Sequence, residues 1–234
     1  MRTSKVLVLC LVSLVLASLV GCFRGSPPAA PVDPDAELEA QAVASNDIRL
    51  WHKNNEARLT WTGIGGTNGD EKVNPANGLE EIAFPVLDVT AVGGVLEVGG
   101  GEGYGIKSSL DGNGNNRKTI NGPELLYLTL PSGTEAAFIS AGLTFRIAKD
   151  STQDVILTAK RNGDVVDSQT LSVSGQPGKS TSDRINVTLA APADQLSFSV
   201  PGGSKVGLRD STFTTQVSDP ANPGPVTGDG RGEL

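Results

Sequence analysis

Val155-Ile156-Leu157-Thr158-Ala159-Lys160, then Arg161-Asn162-Gly163-Asp164, then Val165 to Val173, is the stretch that decides the fold. Asn-Gly between two alternating runs is the strongest short hairpin signal, because both residues tolerate the positive φ that a tight turn demands. The runs on either side carry Val, Ile, Leu and Thr, which pack well on a pleated surface. This segment therefore reads as two long antiparallel strands.

The same grammar extends in both directions. Upstream, Ile48–Trp51 and Ala57–Thr62 alternate as half-buried strands do, and the polar His52-Lys53-Asn54-Asn55-Glu56 joins them as a turn. Residues 63–78 read as a Gly/Asn-rich loop. Further strands are expected at 82–84, 86–91, 95–98, 103–107 and 124–130, and in the long apolar run 136–148. Downstream come 184–189, 195–200 and 205–213. About twelve strands result, with no convincing long helix after residue 46. Such spacing with turn signals favours a sandwich or a barrel.

Composition agrees. The chain has 29 glycines and 14 prolines, 38% hydrophobic residues but only 4% aromatic ones, so the core is expected to be mostly Val, Leu and Ile. The net charge is −7, and removal of Arg2 and Lys5 would make it −9. An acidic surface argues against nucleic acid as a partner and against basic-patch docking on anionic lipid.

The N-terminus has its own logic. Arg2 and Lys5 precede the apolar run Val6–Val20, which is of signal-peptide length and short for a membrane span of about 20 residues. The run ends in Leu19-Val20-Gly21-Cys22. This resembles the lipobox of bacterial lipoproteins. The resemblance implies an N-terminal signal helix over 1–21, cleavage before Cys22, and acyl chains on that cysteine. Several chains are needed, because one gives only marginal anchoring. Phe23 in place of Asp implies, by the same resemblance, sorting to an outer membrane. The other cysteine, Cys10, lies inside the signal, so the mature domain has neither thiol nor disulfide. Residues 22–46 follow as a Pro/Ala-rich tether, 47–218 as one β domain, and 219–234 as a Pro/Gly-rich tail expected to be disordered.

Catalytic signatures are weak. His52 is the single histidine, read as an exposed turn residue, and no Gly-x-Ser-x-Gly elbow is present. Gly178-Lys179-Ser180 lacks the first glycine and the helix of a phosphate loop, and the glycines of 99–105 lack dinucleotide spacing. Glu102 with Glu124 is the carboxylate pair a hydrolase would require. The reading is therefore non-catalytic, with a hydrolase behind two binding readings. In Asp111-Gly112-Asn113-Gly114-Asn115-Asn116, oxygen ligands stand at every second residue, which suits calcium held by Asp111, Asn113 and Asn115. The alternative is a plain polar turn. Asn68-Gly69-Asp70-Glu71 is a lesser candidate. Trp51, Trp61 and Tyr104 are the aromatic candidates for stacking on sugar rings, with Tyr104 expected to be exposed between glycines and core packing the alternative for both tryptophans.

From Gly103 to Phe213 the chain resembles, loosely, jelly-roll domains of exported bacterial proteins, including many with a PEP-CTERM sorting tail. The residues concerned are Gly103-Tyr104-Gly105-Ile106, Ile120-Asn121-Gly122 with Glu124-Leu125, the Asn162-Gly163 hairpin and Gly207–Phe213. The sorting tail itself is missing. This resemblance implies an all-β, antiparallel two-sheet sandwich similar to galactose-binding-like modules, in which calcium often sits at one edge. The resulting expectation is a lipid-anchored envelope protein whose sandwich binds carbohydrate, with a structural calcium. The other reading is a cell-surface structural protein that binds another envelope protein.

Overall fold

The computed structural model describes residues 46–75, 78–99, 103–109, 119–202 and 204–217. The Asn162-Gly163 turn forms with φ of 52° and 91°. It joins β11 (Thr152–Arg161) to β12 (Asp164–Ser174) in a long antiparallel ladder whose register shifts once, between Ala159 and Lys160. A second pair of left-handed residues, Asn54 and Asn55 with φ of 50° and 68°, joins β1 (Asp47–Lys53) to β2 (Glu56–Ile64). The turn is thus two residues long, and His52 belongs to the strand before it.

The remaining strands are β3 (Thr67–Val73), β4 (Glu81–Ala83), β5 (Asp88–Val92), β6 (Val95–Gly99), β7 (Gly103–Lys107) and β8 (Ile120–Asn121). Then come β9 (Leu125–Thr129), β10 (Ala136–Arg146), β13 (Ile185–Ala193), β14 (Gln195–Ser199) and β15 (Lys205–Val217). No helix occurs among the described residues. β3 lies inside the stretch expected to be a loop. Its residues Asn68-Gly69-Asp70-Glu71-Lys72 carry no apolar alternation, because this strand sits at the end of a sheet and is mostly exposed.

Two antiparallel sheets pack face to face. One has the order β13-β10-β15-β1-β2-β3, with β7 and β8 also pairing to the long β15 and β6 pairing to β7. The other has the order β12-β11-β14-β9-β5-β4. From β9 onward the chain alternates between sheets: β9 lies in one, β10 in the other, the β11–β12 hairpin back in the first, then β13, β14 and β15 alternate. This is the crossing pattern of a jelly roll and confirms the all-β sandwich.

The core fills the space between the sheets. Leu126, Leu128, Leu157, Leu196 and Phe198 face Leu50, Leu59, Leu143, Phe145 and Phe213 within one buried cluster. Phe145 of one sheet meets Phe198 of the other edge-on, with centroids 6.3 Å apart, and Phe138 stacks at a tilt on Phe213 at 5.5 Å. The few aromatic residues are thus concentrated where burial is most complete. Each large side chain buried there contributes about 1.5–3 kcal/mol of hydrophobic transfer.

Polar contacts close the edges. The Asp167 carboxylate accepts from the Ala190 amide at 3.0 Å and the Gln169 side chain donates to the Thr188 carbonyl at 2.9 Å, tying β12 of one sheet to β13 of the other. Close approach governs β7. A Cβ on Gly103 would lie 2.2 Å from the Leu208 carbonyl oxygen, so only glycine, here with φ of 96°, lets β7 dock on β15.

Candidate functional site

Period-2 alternation sends Leu126 and Leu128 of β9 into the core and turns Tyr127 outward. Tyr127 is half-buried on the outer face of the six-stranded sheet. Strand register sets its neighbours. Glu81, Thr90, Tyr127, Ser197, Thr158 and Ser168 stand opposite one another in turn, one per strand, from β4 to β12. The row is polar throughout with a single aromatic ring near its middle. Ser197 is buried, and its hydroxyl donates to the Thr158 carbonyl at 3.4 Å.

A second row runs beside the first: Ala83, Asp88, Thr129, Gln195, Lys160 and Val165. Gln195 donates to the Thr129 hydroxyl at 3.1 Å. Burial and the neighbouring Glu81 carboxylate push Asp88 above its usual value. Thr129 and Gln195 also form one wall of a cleft of about 570 Å³ at this end of the sandwich. The 131–135 loop and the Arg161-Asn162-Gly163 turn complete the cleft. Asp194 holds that turn by accepting from the Asn162 amide at 2.8 Å. The outer face and the cleft are therefore continuous, and they offer hydroxyl, amide and carboxylate groups around one aromatic ring.

The aromatic residues singled out by sequence are placed differently. Tyr104 is fully buried, not exposed. Its hydroxyl donates to the Trp51 carbonyl at 2.6 Å and accepts from the Arg58 amide at 3.2 Å, so it sits between paired residues of β1 and β2. Burial pushes its phenol far above the ordinary value; the bond from Arg58 offsets part of that and the Asp210 charge adds to it. Trp61 lies in the core cluster and donates to the Thr67 hydroxyl at 3.2 Å. Trp51 faces away from that core but is also buried, with the guanidinium groups of Arg49 and Arg58 at 5.2 and 5.0 Å from its ring. Arg49 in turn pairs with Asp210 at 3.2 Å, both nearly inaccessible. None of these three rings presents an open face to a ligand.

Other candidates resolve similarly. His52 is buried in β1, with Nδ1 3.2 Å from the Arg209 carbonyl, so it is no exposed turn residue. Glu124 is buried, accepting from the Ser108 hydroxyl and, at 2.7 Å, from the Asn121 amide; its proposed partner Glu102 lies outside the described residues. Cys22 and the calcium ligands Asp111, Asn113 and Asn115 also lie outside them, as do the signal, the tether and the tail. Among the described residues no group of three or more His, Cys, Asp or Glu converges, and no helix is long and apolar enough to cross a membrane.

Tyr127 went unnoticed in the sequence, although its signal was present. In Leu125-Leu126-Tyr127-Leu128-Thr129 two core leucines flank an aromatic of opposite phase, which places that ring on the solvent side.

No protein-family model matches the chain, and no curated protein matches it. Among solved structures, the catalytic unit of the thermostable GH87 alpha-1,3-glucanase from Streptomyces thermodiastaticus strain HF3-3 aligns with 59% of this chain at 14% identity and a TM-score of 0.33. The chain spans only 27% of that structure's length, and a likeness of this extent fixes neither fold nor activity.

Proposed function

We propose that this protein is a lipid-anchored, non-catalytic envelope module that binds a glycan on the outer face of its six-stranded sheet. The carrying observation is Tyr127, an outward aromatic ring near the middle of a polar row and beside an open cleft. A sugar needs an apolar face against its C–H groups and hydrogen-bonding side chains around its hydroxyls. Tyr127 supplies the first; Thr90, Thr158, Thr129 and Gln195 supply the second. Leu19-Val20-Gly21-Cys22 supports the anchor. The spacing of Asp111, Asn113 and Asn115 supports a structural calcium, to be tested by the shift of the thermal midpoint between excess calcium and chelator and its loss in Asp111→Ala.

Calorimetric titration of neutral oligosaccharides into the protein and its Tyr127→Ala variant tests the glycan reading. An aromatic contact of about 1.4 kcal/mol corresponds to a tenfold affinity loss. Equal binding by both proteins would remove Tyr127 from the site. Sheet-edge assembly is a second reading, favoured by the outermost and largely exposed β3. Its Asp70-Glu71-Lys72 charges oppose casual pairing, so it requires a partner strand of complementary charge.

A further inference from the structure

We infer that the outer face of the six-stranded sheet is a ladder of subsites for an extended, uncharged, linear polysaccharide lying across the strands, one sugar residue per strand. This rests on the glycan reading above and adds orientation, length and charge to it. Neighbouring strands lie about 4.8 Å apart, an interval close to the length of one pyranose in an extended chain. The row Thr90, Tyr127, Ser197, Thr158 places one hydrogen-bonding side chain on each of four consecutive strands, β5, β9, β14 and β11.

Sheet twist sets the length. Adjacent strands rotate by about 20° each, so an extended chain that lies flat at the centre lifts away towards the edges. The contact thus covers the four central strands, about 14 Å from first to last, and leaves Glu81 and Ser168 at its ends. Charge is set at the β4–β5 end. Glu81 and Asp88 are close neighbours on one face, and neither has an ion pair with a described cation. Burial and the Glu81 carboxylate beside it both disfavour the charged form of Asp88. A uronic acid chain would bring more negative charge.

A length series of neutral β-1,4-linked glucose and N-acetylglucosamine oligomers, one to six residues, separates these claims by calorimetry. Affinity is expected to rise severalfold per residue up to four and then level off. Thr158→Val, an isosteric loss of one hydroxyl, is expected to weaken the tetramer three- to tenfold and leave the dimer unchanged. Galacturonate oligomers of equal length are expected to bind at least tenfold more weakly than the neutral ones. A plateau at two residues, or equal weakening of dimer and tetramer by Thr158→Val, overturns the ladder while the glycan reading stands. Equal affinity for the galacturonate series overturns the charge selection. Absence of binding by the whole series overturns both the ladder and the reading beneath it.

Discussion

Removing the Tyr104 hydroxyl tests how β7 is locked to the β1–β2 pair within the nine-stranded sheet. In Tyr104→Phe the ring keeps its place in the core, so almost no cavity forms. Two backbone groups lose their partner: the Trp51 carbonyl and the Arg58 amide. An unsatisfied buried polar group costs about 1–3 kcal/mol, so the pair should cost about 2–6 kcal/mol when neither is rescued by water. For a domain of this size that is roughly 4–24 °C in Tm. Urea unfolding and a thermal melt give both values. A loss below about 0.5 kcal/mol would show that the two groups bond directly to each other and that the hydroxyl is incidental. The same residue also has a pH signature. Burial raises its folded pKa above the unfolded value near 10, so the folded state holds the proton more tightly. Its stabilisation is complete below pH 10 and is lost as pH rises further, by up to about 1.4 kcal/mol per pH unit. Tyr104→Phe should flatten that alkaline decline. An unchanged slope would mean that other groups cause it.

The buried Arg49–Asp210 pair offers a second test: Asp210→Ala removes the carboxylate paired with a buried guanidinium and should cost about 3–5 kcal/mol, whereas Arg49→Met with Asp210→Leu should cost clearly less in the same unfolding assay. Asp167, at the β12–β13 seam, titrates the other way. Desolvation opposes its charge, but bonds from Ala190, Gln169 and Ser168 prevail and lower its pKa, so its contribution is present at neutral pH and lost as pH falls through the folded value. Asp167→Asn should therefore be less stable than the parent at pH 7 and converge with it near pH 2, as read by thermal melts across the acid range. At the N-terminus, Cys22→Ala expressed in a bacterial host should abolish palmitate incorporation and release the protein from the membrane fraction; retained label would place the lipid elsewhere.

The sandwich was legible wherever strands are half-buried. Leu125–Thr129 and Ala57–Thr62 carry period-2 patterns because one face meets the core, and Asn162-Gly163 marks its hairpin through the positive φ of both residues. β3 escaped because an edge strand with exposed faces needs no apolar alternation. The strand at 103–107 was legible, but Tyr104 misled because flanking glycines suggest an exposed ring, whereas Gly103 is there for close approach to β15. Trp51 shows a further limit: a ring on the non-core face of β1 can still be enclosed, here beside two guanidinium groups. The site around Tyr127 depends on register across six strands. No local pattern specifies which residue of β14 stands opposite which residue of β9.

The most direct test of the glycan-binding face is a nuclear magnetic resonance titration of the isotope-labelled protein with a neutral β-1,4-linked tetrasaccharide. The account expects saturable shifts at Thr90, Tyr127, Thr129, Ser197 and Thr158, with Trp51, Trp61 and Tyr104 unmoved. Shifts confined to the nine-stranded sheet, or none at millimolar sugar, would contradict it.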